Sequence, residues 1–248
     1  MGVRPLCSVS FQRRLGYAAV VNWQKSCAVV IPCLDDAGAI GSVISAVKSF
    51  VPSVLVVDDG STDGTGDVAR AAGATVLRHA RALGKGTALR TGWDAALERG
   101  FEWTLCMDGD GQHAAADIPK FLARGERGDV ALVVGERMHA PKTMPWVRRM
   151  TNRFMSWQLS RLAGIRLTDT QCGFRLLHLP SLARLQVKSD CFEIESEVLI
   201  QFARARFGIA FVPIQVIYAD ERSKIRPLRD TLRWWNWLRK QNSLRCNR

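Results

Sequence analysis

The sequence predicts an α/β protein of Rossmann-like architecture, a mainly parallel central sheet with helices on both faces. Three observations lead there. Short continuous apolar runs, the mark of strands buried on both faces, alternate with stretches of helical spacing. Acidic, glycine-containing loops follow two of those runs directly, where ligands sit in open α/β sheets. No Pro/Gly/Ser-rich linker divides the 248 residues, so one substantial core is expected, with extensions at both ends.

In chain order, Ala28 to Ile31 reads as a first strand ended by Pro32, and Ile40, Val43, Ile44 and Val47 give the next stretch, 40–50, a helical face. Val54 to Val57 is a second strand running into Asp58-Asp59-Gly60-Ser61-Thr62-Asp63-Gly64. Thr62 is placed to cap a helix over 67–72, and Gly73 to stop it. Thr75 to Leu77 is a third strand, 87–99 a helix ended by Gly100, and 103–107 a buried parallel strand. Further strands are expected over 130–135 and 209–218, the latter at an edge because it contains Pro213. Helices are expected over 146–163, with Arg148, Arg149, Arg153 and Arg161 along it, and over 195–206; 169–177 reads as irregular.

The chemistry is expected beyond the strand 103–107. Gly109 and Gly111 let the backbone turn there, and Asp108 and Asp110 arrive together at the strand's carboxyl end. Two carboxylates this close repel unless a cation lies between them, and hard oxygen ligands suit Mg²⁺ or Mn²⁺. Other phosphate and metal motifs fail on inspection. Gly84-Lys85-Gly86 lacks the flanking residues of a phosphate loop, and Asp59-x-Ser61-x-Asp63-Gly64 meets Arg70 where a calcium loop needs Glu. Gly109 and Gly111 complete no dinucleotide fingerprint, because position 114 is Ala114.

Apolar content of 47% is ordinary, whereas a formal charge of +12 favours a polyanionic neighbour or a diphosphate substrate. The cysteines stand singly, so they read as reduced thiols of a cytoplasmic protein. No apolar stretch approaches the roughly 18–20 residues that cross a bilayer, and residues 1–25 lack a signal-peptide core. Those residues read as a disordered extension or as sequence ahead of the native start. Over Pro227 to Lys240, Leu228, Leu232, Trp234, Trp235 and Leu238 share one arc opposite Arg229, Arg233, Asn236 and Lys240. This basic amphipathic helix suits a membrane headgroup zone, or packs its Trp face on the domain, or does both in part.

Taken in order, Val30-Ile31-Pro32-Cys33-Leu34-Asp35-Asp36, Val57-Asp58-Asp59-Gly60-Ser61-Thr62-Asp63, Gly84-Lys85-Gly86, Asp108-Gly109-Asp110-Gly111-Gln112-His113, Gly135-Glu136-Arg137 and Asp169-Thr170-Gln171-Cys172-Gly173-Phe174-Arg175 resemble the motifs of family 2 glycosyltransferases. The likeness is greatest to the dolichyl- or polyprenyl-phosphate mannosyltransferase branch. It implies a GT-A domain over 26–226, with 1–25 and 227–248 outside it, a GDP- or UDP-linked sugar donor and a divalent metal.

By position, the resemblance implies that Pro32, Leu34, Asp36, Val57 and Asp59 border the nucleoside, and that Asp108, Asp110 and Gln112 hold metal and diphosphate beside Gly109. Lys85, Arg137, Ser223 and Lys224 would meet phosphate. Leu34 and Asp35-Asp36 replace the family's common aromatic and Asn-Glu, which weakens base stacking. The reaction implied is inverting in-line transfer to a polyprenyl phosphate or similar lipid at the inner, cytoplasmic membrane face. A lipid phosphate needs no general base, while a hydroxyl acceptor on a glycan, lipid or metabolite needs one, with Asp169, Glu193, Glu195 or Glu197 as candidates. A sugar nucleotidyltransferase is the more distant rival. Nucleic acid is not expected as a partner, because acidic strand ends repel phosphate and aromatics do not interleave with the basic residues outside the last helix.

Overall fold

A computed structural model of the protein describes residues 21–137, 146–215, 217, 233–239 and 241. A short helix, α1 (Trp23–Ser26), leads into β1 (Cys27–Cys33), and α2 (Ala37–Lys48), β2 (Val54–Asp58), α3 (Thr65–Ala71) and β3 (Thr75–Arg78) follow. Next come α4 (Lys85–Glu98), β4 (Trp103–Cys106), α5 (Ile118–Gly125) and β5 (Leu132–Glu136). The remaining elements are α6 (Trp146–Ala163), β6 (Arg175–His178), α7 (Leu179–Leu182), α8 (Ile194–Arg204) and β7 (Ile209–Pro213).

The strands form one seven-stranded sheet in the order β3-β2-β1-β4-β6-β5-β7. All neighbours are parallel except at β6, which is antiparallel to both β4 and β5. β1 and β2 are buried along their whole length, as their unbroken apolar runs require of strands covered on both faces. On α2 the side chains at helical spacing, Ile40, Val43, Ile44 and Val47, are the buried ones. Gly92 lets α4 lie close on the sheet: an added Cβ would collide with Val30.

β2 lies on one side of β1 and β4 on the other, so the chain switches direction at β1. Open α/β sheets bind ligands at such a switch point, outside the carboxyl ends of the strands. The register makes those ends coincide, with Cys33 opposite Asp58 and Val30 opposite Cys106. The loops that begin at Leu34, Asp59 and Met107 therefore meet at one edge of the sheet.

Several expectations change. The stretch 169–177 contains a central strand, β6, where an irregular segment was expected. Its first residue hid it: Arg175 is charged but buried, donating to the carbonyls of Cys172 (2.7 Å), Glu195 (2.6 Å) and Thr170 (3.0 Å). Thr62 caps no helix. α3 begins after Gly64, and the Thr62 N–H donates instead to Asp35 Oδ1 at 2.8 Å. The fold also starts before residue 26, because Trp23 packs edge-on against buried Trp103 at 5.5 Å.

At the other end residues 233–239 are helical, and the helix buries Trp234 and Leu238 while leaving Trp235 39% exposed. Trp234 Nε1 donates to Ser196 Oγ of α8 at 3.1 Å. Over the described residues Trp234 and Leu238 thus pack on the domain, while Trp235 stays exposed.

Candidate active site

The first two loops are laced together before any ligand arrives. The Asp35 N–H donates to Ser61 Oγ (2.9 Å), the Asp36 N–H to Thr65 Oγ1 (2.8 Å) and the Ala37 N–H to Asp63 Oδ2 (3.0 Å). Asp35 takes a left-handed backbone, φ 53°, to make that turn. Asp59 accepts from the N–H groups of Leu83 (2.9 Å) and Gly84 (2.8 Å) and pairs with His79 Nδ1 at 2.7 Å. Its buried carboxylate thus holds the loop ahead of α4. Val57 faces Pro32 across β1 and β2 with a fully buried side chain.

α4 starts at Lys85, and Gly84 and Gly86 are where glycine is needed: a Cβ on either would strike the backbone of Ser189 or Asp190. That close packing aims Lys85 inward. Its Nζ stands 2.6 Å from Asp108 Oδ1 and 2.7 Å from Glu195 Oε1. Burial opposes the charge on Lys85, but the two carboxylates outweigh it and hold the pKa above the ordinary lysine value. Asp108 is pulled the other way. Burial alone would raise its pKa, yet Lys85 beside it holds the carboxyl below its usual range. Gly173 closes the cluster, since a Cβ there would come within 2.8 Å of Asp108 Oδ2 and 3.1 Å of Lys85 Nζ.

Asp110 lies in a different field. Burial first, and then the charges of Asp108 and Asp36, push its pKa up to about 6. Gly109 brings these carboxylates together, because a Cβ would meet Cys33 Sγ at 2.6 Å and Asp36 Oδ2 at 3.3 Å. A carboxylate so perturbed is short of positive charge, which a divalent cation would supply. Among the described residues no three His, Cys, Asp or Glu side chains converge on one point. Mg²⁺ is commonly held by one or two carboxylates plus substrate phosphates, so Asp108 and Asp110 fit such an ion without a further protein ligand. Gln112 contributes its backbone N–H to Asp110 Oδ1 at 3.0 Å.

On the far side of the loop, Arg137 directly follows β5 and grips Asp169, Nε to Oδ2 at 2.8 Å and Nη2 to Oδ1 at 2.9 Å. Asn152 of α6 donates to the same carboxylate at 3.0 Å. Burial would raise the pKa of Asp169, but Arg137 outweighs it and the carboxyl stays ionised. His113, buried against Phe174, is pushed down to about 4, chiefly by burial, and so is neutral.

The structure thus gathers Asp36, Lys85, Asp108, Gly109, Asp110 and Arg137 at one sheet edge, with Leu34 alongside, its N–H donating to Asp36 Oδ2 at 3.1 Å. Ser223 and Lys224 lie outside the described residues. Of the glutamates considered as bases, Glu195 reaches the site, whereas Glu197 accepts from the N–H groups of Lys188 (3.0 Å) and Ser189 (2.8 Å). Sequence reasoning missed Asn152, Gly173 and the depth of His113. Only Gly173 carried a signal, as the glycine that follows Cys172 in the Asp169 motif.

The family model for glycosyl transferase family 2 matches residues 28–184, more than half of the chain. The chain belongs to this family. The glycosyltransferase is 28% identical over 215 residues to the UDP-N-acetylglucosamine–dolichyl-phosphate N-acetylglucosaminyltransferase of Methanococcus voltae, covering 77% of its own length and 86% of the relative. It is 29% identical over 206 residues to the undecaprenyl-phosphate mannosyltransferase of Micrococcus luteus, covering 77% and 82%. Its fold is like that of glucosyl-3-phosphoglycerate synthase from Mycobacterium tuberculosis in complex with Mn²⁺, UDP and phosphoglyceric acid, with a TM-score of 0.68 at 22% identity, covering 90% of this chain and 78% of that one. The mainly parallel sheet of this glycosyltransferase is accordingly a GT-A fold.

Proposed function

We propose that this glycosyltransferase is metal-dependent and inverting, and moves one hexose from a GDP- or UDP-linked donor to a polyprenyl phosphate at the cytoplasmic face of a membrane. One observation carries this reading. The two candidate bases at the site are already engaged: Asp169 is buried between Arg137 and Asn152, and Glu195 is paired with Lys85 at 2.7 Å. An acceptor phosphate is anionic at neutral pH and needs no base. The names of two relatives, which act on dolichyl and undecaprenyl phosphate, support the same choice.

In the reaction, an acceptor phosphate oxygen attacks the anomeric carbon in line. The sugar–phosphate bond breaks with its electron pair going to the departing nucleoside diphosphate, and the anomeric configuration inverts. Negative charge grows on that diphosphate, and interactions that strengthen as it grows lower the barrier. Lys85 and Arg137 are ionised and already oriented by their carboxylate partners, so they supply fixed positive charge without rearranging. Asp108 and Asp110 would hold Mg²⁺ or Mn²⁺, which when bound neutralises part of the same charge. Leu34 and Asp36 border the nucleoside in this reading. Asp59 would act there indirectly, through the loop it holds.

A thermal-shift titration with GDP, UDP, CDP and dTDP, each with and without Mn²⁺, tests the site, because a ligand of the folded state raises the melting temperature. We expect a metal-dependent shift for one diphosphate that Asp110→Ala abolishes. Incubating the matching nucleotide sugar with a polyprenyl monophosphate should then release the nucleoside diphosphate and give a glycosylated lipid. Release of pyrophosphate would instead indicate a nucleotidyltransferase, and transfer to hydroxyl acceptors alone would overturn the lipid-phosphate reading.

A further inference from the structure

α6 carries large apolar side chains on its outer face as well as on its buried one. Its buried side carries Asn152 and Ser156, which hold Asp169 and Thr170, together with Leu159 and Leu162. Its outer side carries Trp146, Met150, Phe154 and Trp157, exposed by 74%, 53%, 48% and 52%. At about 100° per residue these positions fall on one arc, and Arg149, Arg153 and Arg161 flank them or lie among them. Phe154 and Trp157 are ring neighbours at 6.1 Å, and the Arg161 guanidinium lies over the Trp157 ring at 5.1 Å. The eighteen residues of this helix include no Asp or Glu.

We infer that this outer face of α6 is a docking surface for an anionic lipid bilayer. Two observations select that occupant over a protein. The face is purely cationic, so its charge complements anionic headgroups, and large aromatic rings beside arginines suit the boundary between headgroups and acyl chains. The buried side of the same helix holds the Asp169–Arg137 pair, so a membrane seated on α6 lies next to the site where an acceptor phosphate would enter. No helix among the described residues is long and apolar enough to cross a membrane, and of their exposed large apolar side chains four lie on α6 whereas residues 233–239 contribute Trp235. The docking itself is independent of the acceptor; its placement beside the reaction rests on the lipid-phosphate reading.

The test is co-sedimentation of the full chain with vesicles of phosphatidylglycerol and phosphatidylcholine, against vesicles of phosphatidylcholine alone. We expect binding to the anionic vesicles that weakens in high salt, and at least a tenfold loss of that binding in Phe154→Ser/Trp157→Ser with no change in melting temperature. The variant should turn over a short-chain, water-soluble polyprenyl phosphate at the normal rate but lose at least tenfold on long-chain acceptor embedded in vesicles. Undiminished vesicle binding by the variant overturns the inference, and so does a dimer in sedimentation equilibrium that the two substitutions dissociate, since a second copy would then cover the face. Loss of vesicle binding together with no transfer to any polyprenyl phosphate would uphold the surface and sink the acceptor reading.

Discussion

Arg137 holds Asp169 through two parallel bonds of 2.8 and 2.9 Å, with the carboxylate fully out of solvent. Breaking such a pair from one side leaves a buried charge uncompensated. Asp169→Ala should therefore cost about 3–5 kcal/mol of stability. Asp169→Asn, which keeps the volume, should cost less. Urea denaturation of the single and double variants with Arg137→Met should give a coupling energy of about 1–3 kcal/mol. A coupling indistinguishable from zero would show that the pair does not hold the site.

Two glycines separate stability from function. Gly173→Ala would push its Cβ into the side-chain ends of Asp108 and Lys85 and displace them from their pairing, whereas Gly92→Ala would drive into Val30 in the core. The first should keep a melting temperature within a few degrees and lose at least tenfold in transfer rate. The second should cost about 1–3 kcal/mol from overpacking while nucleotide affinity stays normal in the folded fraction. Calorimetry and single-turnover assays on both variants check the contrast, and a Gly173→Ala enzyme of full activity would refute it.

His178 ties stability to pH. It lies buried against Trp103 with its Nδ1 2.8 Å from Ser181 Oγ, and burial pushes its pKa down to about 4. An unfolded histidine titrates near 6.5, so between those values the unfolded chain binds the extra proton and stability falls as the pH falls. The contribution is whole above pH 6.5 and fades as the pH drops toward 4, by about 3 kcal/mol at 1.36 kcal/mol per unit. Denaturation midpoints from pH 7 to pH 4 should decline less in His178→Gln than in the wild type. Parallel declines would remove His178 as a cause.

Trp234 and Trp235 are neighbours with opposite surroundings. Trp234→Ala removes a buried ring and its bond to Ser196, and should cost about 3–5 kcal/mol. Trp235→Ala should change stability by no more than about 0.5 kcal/mol. Equal costs, measured by urea denaturation, would show that the helix is not docked through Trp234.

Much of this molecule can be read from local signals. The apolar runs at β1, β2 and β4 and the helical spacing in α2 depend only on which faces are buried, and that is written in residue order. The Asp108-Gly-Asp110 loop could be placed as well, because a buried parallel strand carries the next few residues of the chain to the sheet's carboxyl edge. What could not be read was burial that contradicts polarity. β6 opens on a buried arginine, and the outer face of α6 is more apolar than the polar contacts on its inner side.

By itself the sequence determined the fold class, the family and the loop in which carboxylates meet, since each rests on residues close together along the chain. Only the tertiary structure decided which charges are partners. Lys85 reaches Asp108 and Glu195, and Arg137 reaches Asp169, across gaps in sequence that no local pattern spans. Those pairings depend on strand register and on glycines that admit close approach. The same charges written along a chain are interchangeable until folding and desolvation select their neighbours.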